Sequence, residues 1–413
     1  MSMILRHLLL IVLIGLFLSV FSSRSFGDSQ YIPVQYNSFD NKSYNLFAVT
    51  GKNIALLVDS DAYDINVISK FVGKLDLAYD FYKKTTGRAP EAYKTYNNLL
   101  TIAVVDSTCG LGCGLLGYTG IETLKDYFQL TYQSIRDQDL YESALLYELG
   151  RNFWFYFDQI GTQVDPFVTG FAVVNRYLAM EYAGVQGTTF YGDNASFESL
   201  KNNILNNMSY LYFKDPNLDW TNTLATNTPP PNPYDLDCVC LVASLYYRIY
   251  SDFGADVYSK FFNALSVLPL AKTKQVAIDN FTTAYQTATG TSHGCSLFKT
   301  NFKIYANDGS IAKYTIDDDN MPSAYYGYSG DVAITTFNPK ADIFAGSGNN
   351  SITLFGSTGG GERIISCGPG IEDVHLKNAN NNSQSIKYFL CENILLSNNA
   401  QTSIDAMLLL LNK

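Results

Sequence analysis

The segment from Phe167 to Ala183 (F-V-T-G-F-A-V-V-N-R-Y-L-A-M-E-Y-A) is nearly apolar throughout, and a helix of that kind has no face to give to water. It is expected at the centre of the fold, with other elements packed around it. Between Asp64 and Lys84, residues such as Val67, Ile68, Phe71, Val72 and Leu75 recur at helical spacing, and Gly87 and Pro90 end the run. Glu142 to Asp158 offers Leu145, Leu146, Leu149, Phe153 and Phe157 for burial. Three further helices are expected near 238–252, 255–265 and 273–289. They follow a loop at 221–233 whose Pro229-Pro230-Pro231 and Pro233 no helix or inner strand could hold. Strands are expected at 53–58, at 99–105 and, after a glycine-rich loop from Cys109 to Gly120, at 118–124.

Beyond residue 301 the pattern changes. Short β-type runs (311–316, 332–337, 352–355 and 386–390) alternate with Gly, Asn and Ser turns. The fold class is therefore α+β, a short sheet with a helical subdomain over 28–300 followed by a small all-β module over 301–413. At 413 residues, 47% hydrophobic and 16% charged, the chain is long enough to bury two cores. A formal charge of -10 without a concentrated Lys/Arg surface sets nucleic acid aside as a partner.

Residues 1–27 have the form of a secretory signal peptide: Arg6 and His7, an apolar run from Leu8 to Phe21, then small polar residues, with cleavage expected between Ser22 and Gly27. The alternative is an uncleaved anchor, for which the run is short beside the ~20 residues of a spanning helix. Either way the expectation is export, secreted or held at the cell surface, and only an anchor would make the membrane a partner. Asn41, Asn194, Asn207, Asn280, Asn349 and Asn381 each open an N-x-S/T sequon, so glycans are expected on surface loops if the host glycosylates. Of the seven cysteines, Cys109 and Cys113 (C-G-L-G-C) could close a small loop disulfide, and Cys238 or Cys240 could reach Cys295.

Tyr147-Glu148-Leu149-Gly150-Arg151 has the shape of H-E-x-x-H without its histidines. In that motif two imidazoles one helical turn apart hold Zn²⁺, and the Glu activates the metal-bound water. A third ligand is often a Glu on a following helix, a role for which Glu181 is suitably placed in sequence. Around this segment the chain resembles the gluzincin zinc metallopeptidases, most nearly their enhancin-like and mucin-degrading branch. The resemblance rests on Leu75-Asp76-Leu77-Ala78-Tyr79-Asp80-Phe81-Tyr82 with Thr86-Gly87, and on Tyr147 to Trp154 read as a changed H-E-L-G-H-N-F-W. Leu245-Tyr246-Tyr247-Arg248 with Phe253-Gly254, and Asp279-Asn280-Phe281, extend it.

The resemblance implies a metallopeptidase fold over 28–300, and the departures imply that its zinc site is lost. Arg151 offers donors only and cannot ligate a metal, while His293 and His375 are remote from the motif. Zinc is not expected. One account places the Arg151 guanidinium in the metal's position, paired with Glu181 or Glu148 and helped by the Tyr147 hydroxyl; the other makes Glu148 and Arg151 a solvated i,i+3 pair.

In the C-terminal module, Ala345 to Ile352 and Cys367 to Val374 resemble G-G-x-G-x-D-x-U, the β-roll repeat of calcium-binding RTX proteins. Asn350 and Glu372 stand where the repeat has its ligand Asp, which leaves Asn350, Glu372 and Asp373 as weak calcium candidates and no other cofactor. The resemblance further implies a Cys367 to Cys391 disulfide. The functional expectation is a pseudoenzyme acting by binding a glycan or glycoprotein. The alternatives are a hydrolase working without zinc through Glu148, with Glu181 as its acid/base partner, and a cell-surface structural or adhesive protein.

Overall fold

The computed structural model describes residues 30–161, 165–188, 196–215 and 217–290, together with the strands and several turns between 303 and 396. The leader, Asn194, His293, Cys295, Glu372 and Asn381 lie outside the described residues. The architecture is α+β. A mixed sheet comprises β1 (Ile32–Asn37), β2 (Ser43–Thr50), β3 (Ile54–Val58), β4 (Thr95–Tyr96), β5 (Leu99–Val105), β6 (Gly112–Gly114) and β7 (Ile121–Leu124). Its order is β1-β2-β3-β5-β7-β6, with β4 paired to β5. β3, β5 and β7 run parallel at its centre, and β6 lies antiparallel to β7 at one edge. β3 is buried along its whole length: one face of the sheet packs on helices, and on the other Leu57 lies within a cluster of the sheet's own side chains with Tyr36, Leu46 and Val105.

The helices are α1 (Ile65–Thr86), α2 (Lys125–Gln138), α3 (Ala144–Asn152), α4 (Asp165–Ala183), α5 (Phe197–Asn202), α6 (Met208–Lys214), α7 (Cys238–Phe253), α8 (Ala255–Leu265) and α9 (Lys274–Thr289). A short parallel pair, β8 (Leu140–Tyr141) with β9 (Gln186–Gly187), joins the stretches flanking α3 and α4. The apolar segment forms α4, with Phe167, Phe171, Val174 and Tyr177 sealed from solvent, and α1, α3 and α7 pack against it. α7 crosses at Gly170, where even a Cβ would lie 2.8 Å from the Val242 side chain. α1 starts on Asp64, which accepts from the Asn66 amide, and stops at Gly87 with φ of 75°. Its Asp76 is a structural tie: the carboxylate accepts from the Lys52, Asn53 and Ile54 amides at 2.6, 2.7 and 3.1 Å.

Several features differ from the expected elements. The helix expected over 142–158 ends at Asn152, because Phe153 stacks on Tyr82 while Trp154 and Tyr156 both turn to Phe171, and no single helical face serves both directions. A single π turn, Phe157–Gly161, follows. The helix α2 and the β1–β2 hairpin were not among the expected elements. The burial of Tyr127, Phe128, Thr131, Tyr132 and Ile135 in α2 has helical spacing that the sequence carries openly.

Among the described residues the C-terminal part is a coil of ten strands: β10 (Lys303–Ala306), β11 (Ala312–Ile316), β12 (Ser323–Tyr326), β13 (Val332–Thr336), β14 (Asp342–Phe344), β15 (Ser351–Phe355), β16 (Glu362–Ser366), β17 (Asp373–Lys377), β18 (Ser385–Phe389) and β19 (Asn393–Leu396). Even-numbered strands form one parallel sheet and odd-numbered strands the other, so two strands make one turn. Ala333 pairs with Ser351, and Ser351 with Asp373. Ile334, Ile343, Ile352, Ile365 and Val374 fill the space between the sheets. The coil docks on the end of α7, where Phe253 meets Phe344 and Phe389 edge-on at ring separations of 5.6 and 4.9 Å. The Ser366 hydroxyl donates to the Asp252 carbonyl there. Asp252 is held by Arg248 at 3.0 Å, and burial pushes its carboxyl up to about 6 against that pull.

Because Phe344 and Ile364 belong to the core that contains α4 and α7, the coil and the helical part are expected to melt together. Phe253→Ala should cost about 3–5 kcal/mol and split the single calorimetric transition in two; two transitions already present in the unmodified protein would contradict the shared core.

Candidate functional site

Glu148 lies on α3 with its side chain against the edge strand β6. Its Oε2 accepts from the Gly114 amide at 2.7 Å and lies 3.5 Å from Arg151 Nε, and the same Nε donates to the Gly114 carbonyl at 3.2 Å. An edge strand leaves alternate N–H and C=O groups without a neighbouring strand, and at Gly114 two helix side chains take that strand's place. The fit depends on glycine: a Cβ at Gly114 would sit 2.5 Å from the Glu148 carbonyl oxygen, and one at Gly112 would lie 3.1 Å from Glu148 Cγ. Burial raises the Glu148 carboxyl above its ordinary range, while Arg151 and the Gly114 amide pull it back.

Asn152 was not among the candidate residues, yet it secures the loop around the site. Its Nδ2 donates to the Leu115 and Gly120 carbonyls at 2.8 and 3.2 Å, and the Gly117 amide donates to the Arg151 carbonyl at 3.3 Å. A buried amide at the last turn of a helix facing a glycine-rich loop is the signal that could have marked it. Beyond the loop, Arg88 lies over the Phe155 ring at 3.9 Å. Leu111, Tyr93 and Tyr118 stand exposed, the last two on adjoining segments bridged at Glu91 and Tyr118.

The remaining expectations meet the structure one by one. Arg151 pairs with Glu148 and not with Glu181, which lies on the solvent side of α4 in an ion pair with Lys201 at 2.8 Å. The buried account is therefore corrected to a partial one: Glu148 is nearly enclosed, whereas the Arg151 side chain is 30% exposed. Tyr147 lies beneath the Arg176 guanidinium, 5.9 Å from ring to charge. Tyr147 and Arg151 do not fit a zinc ion, since the guanidinium supplies only donors, and Glu148 is already engaged. Among the described residues no three His, Cys, Asp or Glu side chains converge as a metal group.

Disulfides join Cys109 to Cys113 and Cys367 to Cys391, and Cys238 and Cys240 are thiols. The calcium candidate Asn350 is buried with its Nδ2 directed at the Gly346, Gly348 and Cys367 carbonyls, so its amide braces two turns as a donor. Asp373 accepts from Asn393 Nδ2 at 3.2 Å. Asn41 is exposed at a turn with φ of 62°, Asn349 is exposed, and Asn207 donates to Asn203 within a second π turn, Asn203–Asn207. Asn280 departs from the surface-loop expectation. It is buried in α9, where its Nδ2 donates to the Gln159 and Pro269 carbonyls because this helix must hold down the preceding loop. Among the described residues no helix is long and apolar enough to cross a membrane.

No family model matches the sequence, and no curated protein does so significantly. A crystal structure described as that of a functionally unknown conserved protein from Bacillus anthracis str. Ames aligns with a TM-score of 0.37 at 9% identity, over 59% of this chain and 46% of that one. A likeness of that degree carries no argument.

Two outcomes test the site. Gly114→Ala should lower stability by about 1–3 kcal/mol, read from the denaturant midpoint, because the clash is with backbone. Glu148→Gln keeps an acceptor for Gly114 and removes the buried charge. The folded state binds the Glu148 proton more readily than the unfolded chain, so the wild-type penalty is largest at neutral pH and fades as pH falls toward the ordinary carboxyl range. The variant's melting temperature should exceed that of the wild type at pH 7.5, with the gap closing toward pH 4.5. A gap that widens on acidification would show the opposite sign.

Proposed function

We propose that this chain is an exported binding protein built on a metallopeptidase-like scaffold whose zinc site is lost, with a glycan or glycoprotein as its ligand. The observation that carries this reading is the engagement of Glu148, whose Oε2 serves the Gly114 amide and Arg151 together. A general base needs a free lone pair aimed at a water or substrate; with Oε2 committed inward, only Oε1 is left for that task, on a side chain that is 10% exposed. The metal-free hydrolase reading is less well supported, since paired-carboxylate hydrolysis needs two opposed acids and Glu181 faces Lys201 instead. Exposed Tyr93 and Tyr118 beside the glycine loop suit a sugar ring, which presents apolar C–H faces and polar edges to an amphipathic aromatic.

Two measurements address the two halves of this proposal. Tyr147→His combined with Arg151→His should give a protein that binds Zn²⁺ more tightly than the wild type in an equilibrium titration, because the pair would restore two imidazoles one turn apart on α3. A folded double variant that binds Zn²⁺ no better than the wild type would remove the scaffold assignment. Separately, a glycan array should show saturable binding that falls at least about tenfold in Tyr93→Ala with Tyr118→Ala, whereas zinc-stimulated peptidase activity abolished by Glu148→Gln would replace the binding reading with an enzymatic one.

A further inference from the structure

The two disulfides differ in setting. Cys109 is exposed and Cys113 half-buried, and the bond between them encloses three residues at the mouth of the glycine loop. Cys367 is fully buried and Cys391 half-buried, and their bond spans a sequence separation of 24. Cys113 is the middle residue of β6, flanked by Gly112 and Gly114, the two glycines that lie against Glu148. β6 has three residues, two of which have no side chain, so its position depends on the β7 ladder, on Glu148 and Arg151, and on the covalent link to Cys109. β7 is fixed independently. Glu122, directly opposite Cys113, accepts from the Tyr36 hydroxyl at 2.9 Å and the Phe39 amide at 2.6 Å.

We propose that the Cys109–Cys113 disulfide is a thiol-exchange site for low-molecular-weight thiols, and that its opening releases β6 from Glu148 while β7 stays in place. The incoming thiolate attacks the exposed Cys109 sulfur, forming a mixed disulfide and expelling Cys113 as a thiolate that takes a proton from water. A second thiol attacks the mixed disulfide, its sulfur bonding to that of the first thiol, and Cys109 leaves as a thiol. The sum is two external thiols oxidised to one external disulfide, and one protein disulfide reduced to two thiols. Access favours this bond as the one to open, since an exchanging thiolate must reach the sulfur in line, and Cys109 is exposed whereas Cys367 is sealed from solvent. This inference stands on the loop geometry and does not require the ligand proposed above.

The experiment exposes the full-length protein to graded glutathione redox buffers, traps thiols with iodoacetamide and maps the labelled peptides by mass. After a fixed incubation Cys109 and Cys113 should label at a lower thiol concentration than Cys367 and Cys391, with a glutathione adduct on Cys109 and with buried Cys238 still unlabelled. Over the same range, amide exchange across 112–116 should quicken while that of β7 does not. The Cys109→Ser, Cys113→Ser double variant should show the quickened exchange without any thiol. The proposal is overturned if Cys367–Cys391 opens first or together with this bond. Labelling of Cys238 at the same thiol concentration, or unchanged exchange across 112–116 once the bond is open, would also overturn it.

Discussion

Helix α4 cannot face water, and the arrangement of the other elements follows from that. Phe167, Phe171, Val174 and Tyr177 need partners in several directions, which α1, α3 and α7 provide. Once α3 is packed on α4, a different side of it faces the sheet edge, and this is the side that carries Glu148 and Arg151. The central apolar helix therefore determines, two elements away, that a carboxylate meets the backbone of β6. Trp154 and Tyr156 serve the same demand by closing on Phe171, and in doing so they end α3 at Asn152.

The enclosed carboxylate costs free energy that a neutral residue would not. What offsets the cost is local: one amide, one guanidinium and two glycines that let the strand approach. A glutamate retained in this setting acts as a connector, tying a three-residue strand with almost no side chains to a helix. Asp76 does similar work at the other side of the sheet, where three successive amides converge on one carboxylate. Glu122 makes a third such tie, between β7 and the β1–β2 turn. Carboxylate-to-amide contacts thus recur as the means by which the sheet is fastened to its surroundings.

Much of this was legible in the sequence. The long helices α1, α4, α7, α8 and α9 are marked by apolar periodicity and by punctuating Gly and Pro, signals that depend on neighbouring residues alone. The change to short β runs near residue 301 was equally plain, although alternation between two parallel sheets was not, since no local pattern states which strand pairs with which. The end of α3 was hidden because Phe153, Trp154 and Tyr156 fit a helical count, and only partners distant in sequence pull them apart. The site was legible as a segment but not as a geometry. Glu148 and Arg151 could be named, but that their common partner is the main chain of Gly114 depends on contacts across more than thirty residues. Glu181 shows the converse, since its placement in sequence suggested a role that its side of α4 does not allow.

The docking of the coil has a consequence for the order in which the chain can assemble. The groups that meet α7 are Phe344 at the end of β14, Ser366 at the end of β16 and Phe389 at the end of β18, so they come from three successive turns of the coil. No single turn presents that surface. The helical part, made first on the ribosome, waits with Phe253 uncovered until several turns have stacked, so the end of α7 is the last part of the shared core to be closed.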